Sequence, residues 1–205
     1  MQKIKLTEQY YISNKESVLD NIHEKGTNLC IWKRRVKQDI IHYAKHLTKI
    51  PNFSLEFKLS DKNNLLDIFP PFDDGTAKPF IDDVVGIALR FQDITKIENP
   101  KVHLSVINDM QCPLFHVDYV RMRLICTYIG QGTLWVPNAD INRNHLGCGR
   151  NDHLIRSMDA VRQTENFDVL IMKGEANESD PKNGLIHKSP DTKGEPRLFL
   201  RIDAR

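Results

Sequence analysis

Three observations predict an α+β fold with a double-stranded β-helix core, of the jelly-roll or cupin type, in the C-terminal half and a mainly helical N-terminal flank. Apolar residues recur at helical spacing in two segments before residue 95, short β-rich runs dominate from Lys101 onward, and candidate metal ligands fall near the ends of those runs. At 205 residues and 40% apolar content the chain can bury a core. It reads as a single domain over 1–205, with 1–100 as the helical flank and 101–205 as the β-rich, metal-binding core.

In order along the chain, a polar start leads to Leu29–Trp32, a short strand of four apolar or aromatic residues. Val36, Ile40, Ile41, Tyr43, Ala44 and Leu47 then share one helical face, so 36–47 is expected to be a helix that Pro51 stops. Lys62-Asn63-Asn64, Pro70-Pro71 and Asp73-Asp74-Gly75 are loop signals before a second helix over 78–93. Strands are expected at 102–107, 120–129, 132–136, 167–172, 184–187 and 197–202. Two polar stretches interrupt them, 138–165 and 175–183, the first partly helical around 153–161 and long enough to be a lid or a partner surface.

Lysine and arginine total 29 against 27 acidic residues, a net charge of +2, so no charge excess points to nucleic acid or a membrane surface. A small-molecule or protein substrate is the expectation. Cys30, Cys112, Cys126 and Cys148 form no CxxC pair, and Met1-Gln2-Lys3-Ile4-Lys5 lacks the apolar run of a secretory signal. Reduced thiols in a cytoplasmic protein fit that pattern. No segment approaches the roughly 20 consecutive apolar residues that span a bilayer.

The chemistry concentrates in Phe115-His116-Val117-Asp118, answered by Leu185-Ile186-His187 and then by Arg197. Residues two apart on an extended segment project to one face, so His116 and Asp118 can address a common ion, and His187 supplies a third ligand from a distant strand. Two imidazoles and a carboxylate that leave positions open are the arrangement of non-haem Fe(II) oxygenases. Arg197, ten residues after His187, can grip a carboxylate through two parallel charge-assisted hydrogen bonds. Arg201 shares its strand parity and competes for the role.

The order His116-x-Asp118, then Arg123-Leu124-Ile125-Cys126-Thr127-Tyr128, Gly132-Thr133, His187 and Arg197 resembles the Fe(II)/2-oxoglutarate-dependent oxygenase superfamily over 101–203. Through Cys112-Pro113-Leu114-Phe115-His116-Val117-Asp118, Gly130 to Pro137 and Met172-Lys173-Gly174-Glu175, the chain is also similar, along its whole length, to a bacterial domain-of-unknown-function family. The superfamily resemblance implies His116, Asp118 and His187 as iron ligands, Arg197 as salt-bridge partner of 2-oxoglutarate, and Tyr128 as a further cosubstrate contact. It implies a dioxygenase that couples decarboxylation of 2-oxoglutarate to succinate with attack on a substrate C–H bond, in hydroxylation or demethylation.

Plainer roles stand beside these. The three ligands also accept Zn(II), which suits a non-catalytic metal-binding or zinc-homeostasis module of cupin-like fold, or a Lewis-acid hydrolase or isomerase that needs no clamp. Arg197 has an alternative as an edge-strand surface residue. Arg121 and Arg123 are expected to form a solvent-facing stripe, Trp135 a packing anchor, and Cys126 part of the core. His145, Cys148 and His153 form an H-x2-C-x4-H group without an obvious fourth ligand, and the expectation is that it holds no second metal.

Overall fold

The computed structural model describes residues 10–72 and 75–205; the expected signal-free start Met1–Lys5 and the Asp73-Asp74 turn lie outside the described residues. Among the described residues, ten strands are β1 (Tyr10–Ser13), β2 (Leu29–Trp32), β3 (Ser54–Lys58), β4 (Lys101–Ile107), β5 (Met122–Ile129), β6 (Leu134–Val136), β7 (Arg162–Gln163), β8 (Val169–Lys173), β9 (Ile186–Lys188) and β10 (Arg197–Ala204). The described residues also form four α-helices, α1 (Gln38–Leu47), α2 (Leu65–Ile68), α3 (Ala77–Thr95) and α4 (Asn151–Leu154).

The result is a mixed α/β fold around a large, mostly antiparallel sheet. Seven strands run in the order β1-β2-β8-β5-β10-β4-β3, with only β1 and β2 parallel, and a second sheet of three runs β7-β6-β9. Helices α1 and α3 cover one face of the large sheet. Tyr43, Leu47, Phe80, Val84 and Phe91 pack there against Leu124, Cys126, Leu200 and Ile202, each large side chain contributing about 1.5–3 kcal/mol through burial. The other face meets the small sheet through Leu29, Ile31, Ile125, Leu170 and Met172 against Trp135 and Leu185. Beyond the small sheet, Val136 and Ile186 are covered by Ile141, Leu154 and Ile155 from the long β6–β7 connection.

Most expected elements are present within a residue or two of their predicted ends. α3 forms because Phe80, Val84, Ile87, Ala88, Phe91 and Ile94 line one side, and it ends where Lys96 turns left-handed at φ 55. Trp135 is buried between the sheets against Tyr10, as expected of a packing anchor.

The mainly helical flank requires correction. β1, β2 and β3 all come from the first hundred residues, and β1 and β3 form the two edges of the large sheet. β3 pairs only with β4 and leaves Ser54, Glu56 and Lys58 exposed, so its composition is that of a polar edge rather than a core strand. In the long connection, the helical stretch expected at 153–161 is reduced to α4 and a 3-10 turn over Met158–Ala160. Among the described residues no helix is long and apolar enough to cross a membrane.

Candidate metal centre

His116 and His187 are brought together by their backbones. Each donates its N–H to the other's carbonyl at 3.0 Å, forming an isolated antiparallel bridge beside β9. Residues directly opposite in such a pair project to the same face, and the two imidazole centroids stand 4.7 Å apart. Asp118 follows on the segment that leads into β5. That segment is held by backbone bonds from Glu175 to the Asp118 carbonyl, 2.8 Å, and from Gly174 to the Arg121 carbonyl, 3.2 Å. Gly174 is required here for space: a Cβ would stand 2.2 Å from the Val120 carbonyl oxygen and 2.6 Å from that of Asp118.

Three donor atoms converge. Asp118 Oδ2 lies 3.0 Å from His187 Nε2, and Oδ1 lies 3.6 Å from His116 Nε2. The Nδ1 atoms face the other way, 3.0 Å from the Leu114 carbonyl and 3.2 Å from the Leu185 carbonyl. A carbonyl only accepts, so both Nδ1 atoms carry the proton, and a neutral ring then presents a lone pair at Nε2. Asp118 Oδ2 is buried and accepts no aligned hydrogen bond, although His187 Nε2 and Arg123 Nη1 are within 3.0 and 2.5 Å. Two imidazole lone pairs and a carboxylate oxygen thus face one another, an arrangement that a shared cation relieves. The residues fit a divalent metal.

Burial alone would raise the Asp118 pKa, but contacts with His116 and His187, and the Arg123 charge, hold its carboxyl well below the usual range. The Asp118 carboxylate in turn holds the His116 imidazole above its ordinary value, against the opposing effect of burial.

Arg123 belongs to this site. Its Nε and Nη2 donate to Asp203 at 2.5 and 2.9 Å while Nη1 reaches Asp118, so one guanidinium orients the Asp118 carboxylate. The expected solvent-facing stripe is therefore corrected: Arg123 is largely buried, and Arg121 donates to the Thr95 carbonyl. The available signal was strand parity, since residues 123, 197 and 201 all fall on inward-facing positions of β5 and β10.

A cavity of about 220 Å3 opens beside the three donors, lined also by Arg123, Lys188, Arg197 and Arg201. Four cations face one carboxylate there. Arg197 is 2% exposed; its Nη2 donates to Thr127 and Thr133 hydroxyls at 3.1 and 2.9 Å, its Nε has no partner, and the Phe199 ring stacks at 4.4 Å. Among the described residues no carboxylate pairs with it. Burial pushes its pKa down to about 10, which leaves it charged at neutral pH. Arg201 lines the same cavity nearer its edge, with Nε 3.6 Å from Asp203.

Tyr128 is not brought to the site. It points through the other face of the large sheet, donates to Asp83 of α3 at 2.7 Å, and packs against Phe80 and Phe167. Thr127 and Thr133, which sequence reasoning left unassigned, hold Arg197 instead.

A family model described as Protein of unknown function (DUF1826) matches residues 13–203. The chain belongs to this family. Comparison of the DUF1826 chain with curated proteins found no match. Among solved structures, full-length Neurospora crassa T7H in complex with alpha-KG is similar at TM-score 0.53 and 10% identity, with 100% of this chain and 86% of that chain covered. The same protein in complex with alpha-KG and thymine aligns at TM-score 0.52 and 10% identity, covering 96% of this chain and 85% of that one. At such identities the likeness establishes a shared fold.

Proposed function

We propose that this DUF1826 chain is an Fe(II)- and 2-oxoglutarate-dependent oxygenase of the hydroxylase or demethylase type, built on a double-stranded β-helix. One observation carries the reading: a buried guanidinium without a carboxylate, Arg197, shares a cavity with a His-Asp-His donor set. The fold is shared with Neurospora crassa T7H, whose structure is in complex with alpha-KG, and that acid is 2-oxoglutarate.

In this reading His116, Asp118 and His187 hold the iron, which when bound supplies the O2 chemistry. Arg197 receives the distal carboxylate of the cosubstrate through its charge and its unpartnered Nε, with Thr127 and Thr133 fixing the plane of the guanidinium. Arg201 stands at the edge as an auxiliary cation. Arg123 keeps Asp118 ionised and aimed. The cavity is smaller than the roughly 300–1,000 Å3 of drug-sized pockets, as suits a small dicarboxylate. A separate groove of about 440 Å3 passes His116 and is faced by Leu114, Phe115, Val117, Leu146 and Leu154, offering the primary substrate an apolar seat. Four free cysteines suit a cytoplasmic setting.

The test is succinate production from 2-oxoglutarate by protein loaded anaerobically with Fe(II) and then exposed to O2. Wild type turns over slowly without its substrate, and Arg197→Ala raises the 2-oxoglutarate requirement roughly 10- to 100-fold, the worth of hydrogen bonds to a charged group. Stoichiometric metal binding with no response to 2-oxoglutarate would return the protein to the metal-binding module class.

A further inference from the structure

The connection between β6 and β8 carries a second donor group, separate from the iron ligands. His145 closes a 3-10 turn over Arg143–His145, Cys148 lies between two glycines, and His153 stands on α4; their donor atoms all lie within 4.8 Å of one another. The geometry points to a second cation site at His145, Cys148 and His153, which takes a borderline-soft divalent ion, Zn(II) by its donors, and fixes the wall of the groove beside His116.

The local chain is shaped for convergence. Gly147 and Gly149 adopt φ of 81 and 77, the left-handed region that glycine enters at little cost, so the backbone reverses on both sides of Cys148. The Cys148 N–H donates to the His145 carbonyl at 3.1 Å, closing the turn that carries both side chains. The imidazoles of His145 and His153 meet edge to face, with centroids 5.7 Å apart. Tetrahedral coordination at usual Zn–N and Zn–S lengths needs donors roughly 3.3–3.8 Å apart. Cys148 and His153 are exposed, so side-chain rotation closes the remaining gap without moving a packed core.

Donor chemistry separates this site from the first. A thiolate with two imidazoles selects a softer ion than two imidazoles with a carboxylate, so one chain can sort zinc from iron by ligand type. Arg150, which lines the same groove, is occupied by Asp152 at 2.6 Å and does not oppose the metal's charge. On binding, the Cys148 Sγ–H bond breaks, its proton leaves to solvent, and the sulfur pair bonds the metal; no redox change occurs, and affinity rises with pH. Three protein donors leave a fourth position for water or for a group in the groove. Because His145 and Cys148 line the same groove as His116, loading this site orders the surface that a substrate crosses.

The experiment uses the whole chain, stripped with chelator and titrated anaerobically with Co(II) alone. Wild type should bind two equivalents, one of them with the near-ultraviolet thiolate-to-cobalt absorption that an imidazole-carboxylate site does not give. Cys148→Ser and His153→Ala should each lose that absorption and one equivalent; His116→Ala should lose the other equivalent and keep the absorption. Zn(II) should displace the absorbing cobalt and slow hydrogen exchange over 143–153 in wild type but not in Cys148→Ser. A single equivalent without thiolate absorption overturns the proposal, as does absorption that survives Cys148→Ser, which would move the thiolate to Cys112. Both outcomes leave the succinate assay, and hence the oxygenase reading, untouched.

Discussion

Arg197 and Arg34 are two arginines with opposite surroundings. Arg34, buried beneath α3, is answered by both oxygens of Asp83. Arg197 has only two neutral hydroxyls and an aromatic face. A buried charge without its counter-charge costs several kcal/mol, so such a residue persists at the expense of stability. Arg197→Met, similar in length and uncharged, should hold or raise the melting temperature of the ligand-free protein while abolishing stabilisation by 2-oxoglutarate. Calorimetry with and without the acid reads both quantities. A fall of about 2 kcal/mol in the ligand-free variant would mark Arg197 as a structural residue instead. Tyr128 makes the opposite prediction. Its hydroxyl serves Asp83 on the helical side of the sheet, so Tyr128→Phe should cost about 1 kcal/mol in urea unfolding and leave the 2-oxoglutarate requirement unchanged.

At the scale of elements, β5 shows why its two sides were hard to tell apart. Arg123, Ile125 and Thr127 face the cavity side, while Leu124, Cys126 and Tyr128 face the helices. A strand covered on both faces loses the polar-apolar alternation that normally names its outer side. Sequence reasoning consequently located the strand but placed Tyr128 with the site and Arg123 with solvent. The donor set was legible because two imidazoles and a carboxylate are rare chemistry and His116 and Asp118 lie two apart; the threonines behind Arg197 were not, because their role exists only across strands. β1 and β3 escaped for a different reason, being four and five residues long at sheet edges. Gly174→Ala should place a methyl into the Val120 and Asp118 carbonyls, costing about 1–3 kcal/mol or more by overpacking. It should also weaken metal binding, because relief requires the Asp118 segment to move; isothermal titration with Zn(II) separates that effect from lost stability.

Across the whole molecule, the donor set joins the two sheets. His187 stands on β9 of the small sheet, His116 pairs with it, and Asp118 is tied to the end of β8 through Gly174 and Glu175 and to β10 through Arg123 and Asp203. A metal held by all three therefore bridges layers otherwise joined on this side by apolar packing around Trp135. Any ion that binds only the folded chain adds about 2.7 kcal/mol at a hundredfold excess over its dissociation constant, and each kcal/mol is worth about 2–4 °C at this chain length. Fe(II) under argon, or Zn(II) in its place, should raise the melting temperature by roughly 5–10 °C. Asp118→Asn should remove most of that rise, since it exchanges the anionic ligand for a neutral amide. To keep the second donor group out of the comparison, both proteins carry Cys148→Ser. Hydrogen exchange then decides whether the bridge is mechanical. Protection gained in β9 and in β5 and β10 together means that the ion couples the sheets, whereas protection confined to 114–118 would reduce its effect to the loop that carries His116.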